Sequence, residues 1–155
     1  MVSGFDDTLI ALIESHPSII VGTCDRALVP TVARGFGARL FDGGLAVEVL
    51  ISRWPGPQTL ANLQASGQIA VTFTSPETFE AYQIKGRATD WGDPTSADLE
   101  LAAVFTEVIR DRIMRLGEPP GLVRVGFSSH GLFRVRMVPE AVFVQTPGKN
   151  AGQRL

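Results

Sequence analysis

In the stretch LISRWPGPQTLANLQASGQIAVTF, residues 50–73, Ser52, Arg53, Gln58 and Thr59 gather a fixed cation and three hydrogen-bonding side chains around a turn rich in proline and glycine. The turn leads into a segment of helical character, and the first N–H groups of a helix have no partners within it, which favours a bound anion. A guanidinium adds a planar, permanently charged fork of donors suited to phosphate or carboxylate. The same residue types also make ordinary surface turns, so the pattern admits a phosphate site without requiring one.

Other constellations carry less chemistry. His16 and His130 lie far apart, and neither has a ligand-type residue three or four positions on, which gives a metal site no local support. Ser128, His130 and an aspartate could be assembled into a hydrolytic triad, but no Gly-x-Ser-x-Gly elbow is present to expose the serine. Asp6 and Asp7 read as a helix start, and Glu77 and Glu80 as the flanks of a loop. Cys24 is the single cysteine, so no internal disulfide and no multi-thiolate zinc site can form, and it reads as a small filler at a strand end. With 14 basic residues scattered along the chain and a net charge of −2, no nucleic-acid footprint is expected. No apolar run reaches the roughly 20 residues of a membrane span, and the first residues lack the pattern of a signal peptide, so the chain is expected to be cytoplasmic, without membrane contact.

The elements that must position these residues are mostly strands. Asp6–Ser15 has the spacing of a short helix, with Pro17 beyond its end. Strands are predicted at Ser18–Thr23, Pro30–Leu40, Leu45–Ile51, Gln68–Thr74 and Phe79–Asp90, with turns at Asp25–Leu28 and Asp42–Gly44 and a bulge or a close backbone approach at Gly35 and Gly37. A long helix follows, with Asp93 as its cap, Pro94 at its first position, Gly117 at its end and an apolar stripe of Leu101, Val104, Phe105, Val108, Ile109, Ile113 and Leu116. Two further strands, Leu132–Val138 and Ala141–Thr146, are separated by Pro139, and residues 147–155 read as a flexible tail. Hydrophobic residues make up 45% of the chain, enough for one core, and we expect one domain over residues 1–146. Turn-linked strands with one late helix predict a mainly β protein: an antiparallel β-barrel of six to seven strands, with one long and two short helices outside it. A doubly wound nucleotide fold would need helices between strands and a Gly-rich strand-to-helix turn, and neither is present.

The order of these parts resembles the pyridoxamine 5′-phosphate oxidase-like family of FMN-binding split β-barrels. The resemblance rests on Arg34 in the second strand, the strand LAVEVLI, the segment ANLQASGQIAVTF and the strand QIKG, and it runs from about Ile10 to Asp90. It implies an FMN cofactor, or a deazaflavin in its place, held at the interface of a homodimer and acting on a small-molecule substrate. Carried over by position, Arg34 would meet the flavin phosphate or ribityl chain. The strand end with Val49, Leu50 and Ser52 would face the ring and ribityl groups, and Arg53 would supply charge. Gln83 and Lys85, which share a strand face, would border the flavin. Gln58 and Thr59 stand where the family has the Arg-Lys of a Ser-Arg-Lys motif, a departure that removes two charge-assisted contacts of about 1.5–3 kcal/mol each. That departure motivates a second expectation, a non-catalytic barrel holding haem or no cofactor, with His130 as the axial-ligand candidate. Trp54 is expected at a dimer contact, and an oxidoreductase of this type needs no catalytic side chain of its own.

Overall fold

The computed structural model describes residues 5–54 and 56–155. Six antiparallel strands, β1 (Ser18–Cys24), β2 (Pro30–Phe41), β3 (Ala46–Ser52), β4 (Gln68–Thr74), β5 (Ala81–Gly92) and β6 (Leu132–Val144), close into a barrel in the order β1-β2-β3-β6-β5-β4. Side chains alternate across each strand, so residues in register share a face. The row Ala33, Val21, Val71, Ile84 and Val142 crosses five strands and is buried throughout, as are Ile19, Phe73, Ile51 and Phe133 one row along. These apolar β-branched and aromatic side chains fill the barrel interior.

The connections follow their local chemistry. The Asp25 carboxylate accepts hydrogen bonds from the N–H groups of Ala27 and Val29 (2.8 and 2.9 Å), closing the β1–β2 turn. The expected bulge in β2 is present: Gly35 opposes Ile51 and Ala38 opposes Val49, leaving Phe36 and Gly37 opposite Leu50 alone. Gly37 takes φ +135 there, a conformation few other residues adopt.

The expected break at Pro139 is not a break. β6 runs through it as one strand, giving six strands in all, with Pro139 opposite Gly86, Ala141 opposite Lys85 and Glu140 bulged out between them. β3 pairs with β6 only as far as Met137, so the proline lies where one side of the strand is free and a missing N–H can be tolerated.

Four helices lie outside the barrel, α1 (Asp7–Glu14), α2 (Gln58–Ser66), α3 (Ser96–Arg115) and α4 (Pro120–Gly126), one short helix more than expected. α3 starts after Thr95 rather than after Asp93, because Thr95 and Asp98 form a reciprocal capping box. Its buried face is Asp98, Ala102, Phe105, Thr106 and Ile109, whereas Val104 and Leu116 of the predicted stripe are exposed. Phe105 meets Phe36 edge-on at 6.3 Å, fixing α3 over the bulge of β2. Where a flexible tail was expected, the chain turns back along β6: Leu155 N–H donates to Val142 O (2.9 Å), and Val144 exchanges bonds with Gln153 and Gly152. Among the described residues, no helix is long and apolar enough to cross a membrane.

Candidate functional site

A cavity of about 560 Å³ opens on the outside of the barrel where β1, β2, the end of β3 and the segment after α4 meet. β1 supplies Ile20, β2 supplies Val32, Ala33, Arg34 and Phe36, and β3 supplies Ser52. Trp54 follows on the loop to α2, and Val125, Gly126, Ser128 and His130 come from α4 and its exit. Arg34 points outward because its neighbours Ala33 and Gly35 are buried on the inner face, and across the sheet it stands opposite Ile20. Its guanidinium makes no ion pair among the described residues and lies over the ring of Phe127, 4.1 Å from the centroid. Burial pulls its pKa below the ordinary arginine value, as expected for a cation without a counter-charge.

Ser52 is already engaged. Its hydroxyl donates to His130 O (3.3 Å) and accepts from Trp54 N–H (3.1 Å), while Arg53 N–H donates to Gly131 O (2.9 Å). Two of these bonds join the end of β3 to the turn before β6, and Ser52 shapes the cavity wall more than it offers a free donor. The Arg53 side chain turns away, pairing with Asp93 (3.2 Å) on the surface, and does not line the cavity.

The remaining predicted residues lie elsewhere. Val49 is buried in the barrel beside Gly35, and Leu50 is buried near Gly37, so neither side chain reaches the cavity. Gln58 donates to Asn62 Oδ1 (2.7 Å), Thr59 is buried, and fully buried Asn62 donates to Thr23 Oγ1 (3.2 Å). Asn62 therefore fastens α2 to β1, and Gln58 is bonded within the helix. Gln83 and Lys85 border a second, more open cavity of about 520 Å³ on β1, β4 and β5, with Gln83 bonded to Thr72 Oγ1 (3.0 Å) and Lys85 Nζ 4.9 Å from the Phe143 ring centroid. Register places Arg34, Ile20, Thr72 and Gln83 in one outward row, so the two cavities share a sheet face, with Arg34 and Gln83 three strand spacings, about 14 Å, apart.

Sequence reading named Arg34, Ser52, Trp54, Ser128 and His130, and the structure brings all five to the wall of this cavity. That reading missed Val125 and Gly126, since α4 is too short and too irregular in pattern to announce itself. Ser128 and His130 share the cavity wall, but among the described hydrogen bonds His130 contributes only its backbone carbonyl, so no Ser–His pair is assembled.

No family model matches this chain, and neither does any curated protein. Solved structures do. HupZ of Group A Streptococcus aligns over 96% of this chain and 99% of its own, with 16% identity and a TM-score of 0.56. A protein of the pyridoxinephosphate oxidase family from Clostridium acetobutylicum aligns over 87% and 83%, with 13% identity and a TM-score of 0.54. HutZ, the heme storage protein of Vibrio cholerae, aligns over 91% and 94%, with 15% identity and a TM-score of 0.52. The chain has the split-barrel fold of pyridoxamine 5′-phosphate oxidase-like proteins. Identity this low speaks to fold alone, and the neighbours differ in what their names say they do.

Proposed function

We propose that this split barrel binds a flavin of the FMN type in the Arg34 cavity and serves as an oxidoreductase toward a small molecule. One observation carries the reading: Arg34, a half-buried guanidinium with no anionic partner among the described residues, borders a cavity walled by Ile20, Val32, Phe36 and Trp54. A phosphate needs the first and a flat ring system suits the second, so the donor set fits a phosphorylated flavin. Arg34 would hold the phosphate, Ser128 would add a hydroxyl, and Ile20, Val32 and Trp54 would cover the ring. When bound, a flavin supplies the hydride or electron transfer, and the chain's contribution is to bind it, orient it and keep water from it. Gln58 and Thr59 do not replace the missing cations, which leaves Arg34 to carry the charge.

The reading includes a homodimer. Val32, Trp54 and Val125 around the cavity mouth are 59%, 76% and 80% exposed, and a second copy would cover them. Gln83 and Lys85, on the same sheet face, would then lie at the seam.

The test is a fluorescence titration with FMN. Wild type is expected to quench flavin fluorescence, and Arg34→Ala to weaken binding by about 10- to 150-fold, the value of a charge-assisted contact of about 1.5–3 kcal/mol. Unchanged affinity in the variant removes Arg34 from the site. A second reading, haem binding with His130 as axial ligand, is favoured by the place of His130 on the same cavity wall as Arg34. A Soret band in haem-loaded protein that is lost in His130→Ala, with no flavin binding, would select it.

A further inference from the structure

Phe127 does not line the cavity, yet its ring lies against the guanidinium that does. We infer that Phe127 is a positioning residue that presents Arg34 to a phosphate, and so sets the preference of this site for phosphorylated over unphosphorylated flavin; the inference rests on the FMN reading above.

All five N–H donors of a guanidinium lie in its plane, and stacking occupies only a face. An arginine held by carboxylates commits in-plane donors to them, as Arg39 does through Nη1 to Glu48 (3.3 Å) and Asp98, or Arg134 through Nη1 to Glu48 (3.4 Å) and Asp90 (2.7 Å). Arg34 is held without that expense. A centroid contact at 4.1 Å with a half-buried guanidinium lies well within the range of cation–π attraction. It also removes rotamer freedom that an anion would otherwise have to freeze on binding.

Phe127 is itself well anchored. It is buried, belongs to the continuous apolar core, and its N–H donates to Val123 O (2.9 Å) at the end of α4. α4 packs on α3, whose Arg110 Nη2 donates to Arg124 O (3.3 Å). The ring is therefore a fixed platform, and the short helix that sequence reading missed has a purpose: it carries the surface against which the phosphate-binding arginine is aligned.

The experiment compares FMN with riboflavin, which differ only in the phosphate, on wild type, Phe127→Met, Phe127→Leu and Phe127→Tyr. Both ring-less variants are expected to bind FMN about 3- to 30-fold more weakly, the range of a cation–π contact, with riboflavin affinity unchanged. Phe127→Tyr keeps the ring and should keep the FMN-to-riboflavin ratio. In an Arg34→Ala background the Phe127 effect on FMN should vanish, because it acts through that side chain. Riboflavin binding reports that the site is folded, and either ring-less variant alone suffices. A wild type that prefers FMN while both variants keep its ratio overturns the inference and leaves the FMN reading standing. An equal loss of both ligands also overturns it, by showing a merely structural role. A wild type that binds neither flavin overturns both.

Discussion

Among the described glycines, Gly86 has the least room for a side chain. A β-carbon there would lie 2.1 Å from Val138 O and 3.0 Å from Pro139 Cα, both backbone atoms, because the bulge at Glu140 presses β6 against β5 at this point. Neither atom can swing aside as a flexible side chain would. Gly86→Ala is therefore expected to push the two strands apart and cost about 1–3 kcal/mol or more, read as a lower urea midpoint. Gly92, whose β-carbon would meet nothing closer than Arg134 Nη2 at 3.8 Å, should accept alanine with far less loss. Equal midpoints for the two variants would contradict the steric account. At the same scale the cavity shows why residue type alone misleads. Arg53 and Arg34 are both cations on strands or strand ends, but Arg53 pairs with Asp93 at the surface, and Arg34 has no ion pair among the described residues.

Among elements, Arg112 joins three. From α3 it makes a two-pronged ion pair with Glu77 in the β4–β5 connection, one prong at 2.7 Å, and donates to Ser15 O and His16 O (2.7 and 2.8 Å) at the end of α1, carbonyls that the helix leaves unpaired. Hydrogen bonding from Arg112 lowers the Glu77 carboxyl from 4.5 to about 2, against a smaller opposing effect of burial. The folded-state value is depressed, so the stabilisation is complete above about pH 4.5 and is lost as pH falls toward 2. Glu77 is 40% exposed, so solvent and salt screen much of the interaction. We expect Glu77→Gln to lower the melting temperature modestly at pH 7 and hardly at all at pH 2, with the difference shrinking in high salt. A gap of equal size at both pH values would remove the ion pair as its cause.

Legibility follows from whether a signal is local. The strands and the β2 bulge were readable because period-2 apolar runs and glycines act within a few residues, and Pro139 misled because only its partners show that one edge is free. The cap of α3 was missed by two residues because Asp93 and Thr95 are both fit to cap, and Asp98 decides between them. Arg34 could be placed by analogy of order, whereas its platform on Phe127 lies 93 positions away and left no trace in spacing.

At the scale of the molecule, closure of the barrel leaves few strand edges unpaired, and the returning end of the chain covers β6 where β3 no longer reaches it. Among the described residues, the outer surface of β1 and β2 carries exposed apolar side chains around the cavity mouth. If a second copy covers it about a two-fold axis, every contact there occurs twice, and so does the effect of a substitution. Val32 lies on this face, opposite Gly22, whose lack of a side chain leaves the surface flat. Val32→Glu would place two carboxylates in the seam, lose about 1.5 kcal/mol of apolar burial at each, and weaken association by about a hundredfold or more. Light scattering at micromolar concentration should then give the mass of a dimer for wild type and of a monomer for the variant, with FMN affinity falling alongside. A Leu28→Glu control changes an equally exposed apolar residue at the β1–β2 turn and should leave the mass alone. A monomeric wild type, or a variant that stays dimeric, would mean that this face meets something other than its own copy.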